Sequence, residues 1–272
     1  MTESKLKESD LDFVVNEAAP EFKDKEKLKQ LIREDEDFRR HLIGDEKVFK
    51  KVMADEEVMI KISPVLYFEI LLRKAFRGLE KARHTIERTG SQRVPVFDTK
   101  EVVELLAKEA ILEYLASLLS SFTKIESFTL PVRVRKGVWR KIRFNDMDVD
   151  SLSRFCEAVD EEHRFGFYKR IADVCLFILG VFPEYVMFDY RYPSGELRPK
   201  IVGRIRRSAE EYEEEGRKFY RLAAEHPAAK ILNLAEVLWQ LHEKFNLARK
   251  PLDFISQHYL HFKKQKLFAV ES

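Results

Sequence analysis

The chain has 272 residues, of which 45% are apolar and 35% charged, and a formal net charge of +2. That is enough apolar side chain for a sizeable core, but a charge too near neutral for a protein that coats nucleic acid. Two cysteines exclude a disulfide framework. The first ten residues, MTESKLKESD, hold no apolar run, and the longest apolar run, 174–182, is about half of what spans a bilayer, so the sequence predicts a cytoplasmic chain without membrane insertion.

Charge is unevenly spread. Residues 1–60 carry 17 Asp and Glu against 12 Lys and Arg, an acidic lead-in to a mildly basic body. Residues 1–18 are polar, with Leu11, Phe13, Val14 and Val15 able to dock as a short turn, and a helix is predicted over 20–32. A ten-residue repeat follows. Asp35, Asp45 and Asp55 each open a unit, Leu42, Val52 and Ile62 recur at one offset, and Gly44 and Ala54 fall at the breaks. Aspartate caps a helix N-terminus, so each unit reads as one short helix that must pack on the others, on the body or on a partner.

Ser63-Pro64 is a helix start, and the apolar stripe predicts a helix over 64–88, with a connector or edge strand at 92–97. Asp98 and Glu101 form a capping box for a second apolar helix reaching 122. The period then changes from 3.6 to 2. Residues 127–144, SFTLPVRVRKGVWRKIRF, read as a β-hairpin with a three-residue loop at 136–138. That loop pairs Arg135 with Trp139, Arg133 with Lys141, Val132 with Ile142 and Leu130 with Phe144. It turns Arg133, Arg135, Trp139, Lys141 and Arg143 outward.

Asp148 or Asp150 caps the next helix, ending near His163. Residues 164–182 form the central helix, amphipathic at first and then apolar all round, which the helices 64–88 and 99–122 are expected to wrap. A second short hairpin or long loop is predicted at 188–204, followed by a basic patch with Arg204, Arg206 and Arg207. Ser208 and Glu211 form a capping box for a helix to about His226. A further helix spans 228–245, and Pro251 opens the last one, to about 266. The alternation of Tyr212, Gly216, Phe219, Tyr220 and Ala223, then Leu234, Leu238, Phe245 and Ala248, resembles tetratricopeptide packing without its period of about 34 residues. The resemblance implies stacked hairpins with a groove for a peptide or protein.

The basic hairpin is the foremost candidate surface. Six Lys and Arg fall between 133 and 143 with no acid among them, so a carboxylate or phosphate partner would relieve their repulsion, and Trp139 could stack on a base or sugar. Asp146, Asp148, Asp150 and Glu157 fall at positions 1, 3, 5 and 12 of a calcium loop, but the glycine at position 6 is replaced by Ser151. Plain N-terminal capping explains the same acids. His258 and His261, at i,i+3, are a second metal candidate, with ordinary packing as the alternative. An enzyme would draw on His163, Tyr168, Arg170 and Asp173 at the start of the central helix.

The sequence therefore predicts a mainly α protein, a multi-helix bundle or irregular helical array with one inserted β-hairpin at about 128–144. It reads as an acidic lead-in (1–62) and a main body (63–272), possibly subdivided near 190–207. The expected function is non-enzymatic: a helical scaffold and basic hairpin binding an acidic protein, or self-association. Nucleic-acid binding through the hairpin and the 198–207 patch is the first alternative, and an enzyme or metal-binding protein with a site near the start of the central helix is the second. No cofactor is predicted.

Overall fold

The computed structural model describes residues 6–89, 92–124, 127–135, 138–186, 207–261 and 263–268, with residues 88, 89, 92, 93, 265 and the strands between 127 and 145 described by their backbone alone. The predicted hairpin or loop at 188–204, together with Arg204 and Arg206, lies outside these residues. The protein is mainly α-helical with inserted β-hairpins, and contacts divide it into two compact units, Met1–Ser120 and Ser121–Ser272.

The first unit begins with α1 (Glu8–Ala18), where a short turn was expected, then α2 (Lys25–Glu34), α3 (Glu36–Ile43), α4 (Glu46–Ala54), the single turn α5 (Val58–Lys61) and α6 (Pro64–Lys81). The first two units of the ten-residue repeat are Asp-capped helices, whereas the third is the single turn α5, with Glu57 and not Asp55 at its N-cap and no side-chain cap. Asp35 accepts a hydrogen bond from the Phe38 amide at 2.9 Å and Asp45 from that of Lys47 at 2.7 Å, while Leu42, Val52 and Ile62 are all buried. The helix predicted from residue 20 starts at Lys25 instead, because Asp24 caps it. Asp10, fully buried on α1, accepts the Ser63 amide at 2.6 Å and the Ser63 hydroxyl at 2.7 Å, and that hydroxyl in turn caps α6 by accepting the Leu66 amide.

Helix α6 ends at Lys81, seven residues short of the expected boundary. Thr85 enters a second, unforeseen hairpin, β1 (Thr85–Thr89) with β2 (Gln92–Val96), which tolerates Pro95 because a two-stranded ribbon has free edges. Asp98 accepts a hydrogen bond from the Thr85 hydroxyl at 2.6 Å and makes no side-chain cap, so the predicted box with Glu101 does not form. The helix expected over 98–122 is two, α7 (Thr99–Leu106) and α8 (Glu109–Ser121), broken at Ala107 and Lys108.

The second unit holds β3 (Ser127–Arg135), β4 (Val138–Asn145), α9 (Val149–Ala158), α10 (Phe165–Val181), α11 (Ala209–Glu225), α12 (Pro227–Ile231), α13 (Ala235–Glu243), α14 (Phe245–His258) and the single turn α15 (Lys264–Leu267). Central helix α10 is buried continuously from Ile171 to Val181, packed within its unit by α9, α11 and α14. Phe122, just past α8, stacks on Phe177 with ring centres 4.1 Å apart. Two glycines permit the close approach. A Cβ on Gly180 would fall 2.6 Å from Leu252 of α14, and one on Gly216 of α11 would fall 2.5 Å from the Phe245 ring. At the end of α10 the Val181 carbonyl, which has no intrahelical partner, accepts the Ser256 hydroxyl at 2.7 Å and the Lys264 ammonium at 3.3 Å.

Two further expectations fail for identifiable reasons. The helix predicted over 228–245 is broken at 232–234, where Asn233 takes φ 55° and the Leu234 amide bonds back to the Ala229 carbonyl, closing α12 with a left-handed cap. Pro251 lies inside α14 and does not open a helix, because Ala248, Leu252 and Ile255 on either side of it bury one continuous stripe. Among the described residues no helix is long and apolar enough to cross a membrane.

Candidate functional site

The backbone of β3 and β4 forms the predicted hairpin in a different register. Arg135 pairs with Val138 across a two-residue loop, then a bulge at Val134 intervenes, and Arg133 pairs with Trp139, Pro131 with Lys141, Leu130 with Ile142, Thr129 with Arg143 and Phe128 with Phe144. A two-residue loop alone would have mixed the faces. The bulge inserts one unpaired residue and restores the parity, so Arg133, Trp139, Lys141 and Arg143 share one register face, as expected, and Phe128, Leu130, Ile142 and Phe144 share the other. Arg135 is the exception. Beyond the bulge it pairs with Val138 and so joins the face opposite Arg133, contrary to the sequence reading. The side chains of these residues lie outside the described ones.

Arg207, the one member of the second basic patch that is described, is not a free surface charge. Its guanidinium lies 2.6 Å from Asp150 Oδ1 and 2.8 Å from Glu215 Oε2. Burial pushes the Glu215 carboxyl above its usual range, with Arg207 opposing that shift.

The four residues considered for catalysis do not converge. His163 is exposed, 3.5 Å from Glu162. The Tyr168 hydroxyl donates to Glu161 Oε1 at 3.2 Å, and burial raises its pKa. Arg170 donates to the Asp146 carbonyl at 3.1 Å, to Asp146 Oδ2 at 2.5 Å and to Ser121 at 2.8 Å, while lying 3.9 Å over the Phe122 ring. Asp173, 1% exposed, accepts the Tyr220 hydroxyl at 2.9 Å and pairs with Lys169 at 2.6 Å. Tyr168, Arg170 and Asp173 engage different partners around α10, and His163 lies before that helix.

The calcium-loop pattern also comes apart. Helix α9 begins at Val149, inside the twelve-residue stretch, so Glu157 is carried two turns along a helix and away from the aspartates. Asp146 is taken by Arg170, Asp150 by Arg207, and Asp148 caps α9 by accepting the Asp150 and Ser151 amides. His258 stacks on Phe254 and bonds its carbonyl through Nδ1 at 2.8 Å. Helix α14 ends there, so His261 shares no helix face with it. Among the described residues no group of three or more His, Cys, Asp and Glu could hold a metal.

Two features were missed by sequence reasoning. In the first unit Glu69, 5% exposed, and Glu109 hold Arg73, and Glu109 also meets Arg40 at 3.0 Å, while Arg39 pairs with Glu113. Arg40 and Arg73, with the exposed Arg77 and His41, line a cavity of about 350 Å³. Burial raises the Glu69 carboxyl, against the pull of Arg73. Arg40 and Arg73 are matched by acids, so they do not make the cavity a vacant anion site. In the second unit, α11 and α13 border an open groove of about 540 Å³ lined by Glu210, Glu213, Glu214, Arg217, Lys218 and Arg221 with His242. The i, i+3, i+4 spacing of those charges on α11 was the signal that could have found it. No family model, curated protein or solved structure matches the chain.

Proposed function

We propose that this chain is an interaction protein that engages an acidic protein partner through one face of the β3–β4 hairpin, carried on a helical scaffold. The observation behind the reading is the hairpin's register, in which Arg133, Trp139, Lys141 and Arg143 share a face within a stretch that contains no acid. Alternate positions along a strand are about 6.6–6.8 Å apart, a spacing that suits a row of carboxylates on an extended or helical acidic segment. The modest net charge and the absence of a helix rich in Arg, Asn and Gln beside the hairpin favour a protein partner over a nucleic acid. Divergence of Tyr168, Arg170 and Asp173 into separate internal networks leaves the enzyme reading without an assembled site among the described residues.

The test is fluorescence anisotropy of a labelled poly-glutamate peptide, with single-stranded and duplex oligonucleotides of matched charge, against the full chain at low salt. The peptide is expected to bind, and the triple change Arg133→Ala, Lys141→Ala and Arg143→Ala to weaken it by at least about tenfold, with the salt dependence reduced. Absence of binding, or binding indifferent to the triple change, removes the reading. Tighter binding of an oligonucleotide than of the peptide replaces it with nucleic-acid recognition.

A further inference from the structure

Helix α11 buries Tyr212, Gly216, Phe219, Tyr220 and Ala223 on its inner face, and its outer stripe reads Glu210, Glu213, Glu214, then Arg217, Lys218, Arg221. Acids occupy the first half and bases the second. The order is also symmetric in position: a two-fold axis crossing α11 between Glu215 and Gly216 would set Glu210 against Arg221, Glu213 against Lys218 and Glu214 against Arg217 of an antiparallel copy, every pairing occurring twice.

Within one chain these charges are only partly used, Glu213 also accepting the Asn246 side-chain amide at 2.7 Å. The i,i+4 spacing would allow Glu213 to pair with Arg217 and Glu214 with Lys218. Only the first forms, at 3.4 Å. The Lys218 ammonium lies 5.7 Å over the neighbouring Phe219 ring, and Glu214 and Arg221, both exposed, make no hydrogen bond or ion pair among the described residues. Exposed ion pairs contribute little by themselves, so a stable contact needs apolar surface as well. The structure offers it beside the groove: Trp239, 40% exposed, has its ring 5.3 Å from that of His242 in the groove wall. An aromatic rim next to complementary charge is the composition of a protein interface.

We propose that the outer face of α11 is an isologous self-association surface, on which a second copy of this chain docks with its α11 antiparallel. The charges set register and orientation, and Trp239 at the groove edge supplies apolar contact. This surface is distinct from the hairpin and does not depend on it.

Sedimentation equilibrium of the full chain, with protomer from about 1 to 100 µM, tests it. The wild-type chain is expected to dimerise at about 0.1 M salt and to dissociate as salt is raised toward about 1 M. Glu210→Lys with Glu214→Lys makes the stripe wholly basic except for Glu213; Arg217→Glu with Arg221→Glu makes it wholly acidic except for Lys218. Each variant alone should raise the dimer dissociation constant at least about tenfold, and an equimolar mixture of the two should restore a heterodimer. Circular dichroism of each variant separates loss of association from loss of fold. A wild-type chain that stays monomeric, a dimer that neither variant weakens, or folded variants that fail to recover on mixing would each overturn the proposal.

Discussion

Asp173 carries a carboxylate into the most apolar helix of the molecule and is tolerated because its two oxygens are taken up, one by the Tyr220 hydroxyl and one by Lys169. Tyr220→Phe leaves one of them without that donor and is expected to cost about 1–3 kcal/mol in urea unfolding. Gly216 is the inverse case. Alanine has the better helix propensity, yet a Cβ there meets the Phe245 ring at 2.5 Å and Cys175 Cβ at 2.9 Å, so Gly216→Ala should destabilise by about 1–3 kcal/mol. Cys175 itself is fully buried and its thiol is pushed well up by that burial, so a disulfide reagent should label it only as fast as the chain unfolds. None of these partners is visible in the sequence. Tyr220 and Asp173 are 47 positions apart, and only the packing of α11 on α10 joins them.

At the scale of elements, the sequence was most legible where a local signal and a local cause coincide. Asp35, Asp45, Ser63 and Ser208 all cap helices, because a short polar side chain before an apolar-periodic run needs no distant partner to act. Legibility failed where the cause is tertiary or is a single backbone angle. The break at Asn233, the passage of α14 through Pro251 and the bulge at Val134 have no periodic signature. Ser63 joins both kinds, since its hydroxyl caps α6 and is itself held by Asp10. Ser63→Ala should therefore cost more than an ordinary cap, about 2–3 kcal/mol, and speed amide exchange at the start of α6 and in α1 together.

Across the molecule, acid stability is set by carboxylates shifted in opposite directions. Burial raises Glu69 above its ordinary 4.5, so between that value and its folded one the native state holds the extra proton, and stability falls as pH rises through this window. Glu46, hydrogen-bonded by Lys74, is lowered, so the stability it contributes is present above 4.5 and is lost as pH falls through its folded value. Urea midpoints between about pH 3 and 7 should show Glu69→Gln flattening the upper window and Glu46→Gln the lower. The fold class was legible at this scale because heptad-like stripes and caps recur along the whole chain. The site was not, because charge neutralisation is a property of contacts. Arg207 looked like part of a basic surface until Asp150 and Glu215 were found beside it.

The bond between Asp10 and Ser63 also bears on how the chain is made. These residues are 53 positions apart, so at a synthesis rate of about 5–20 residues per second the aspartate leaves the ribosome roughly 3–10 s before its partner. Through that interval Leu11, Val14 and Val15 can already meet α2, α3 and α4, which α1 contacts, while the Asp10 carboxylate still lacks its Ser63 donors. The late-forming Ser63 bonds therefore close this lead-in only after its helices have been made.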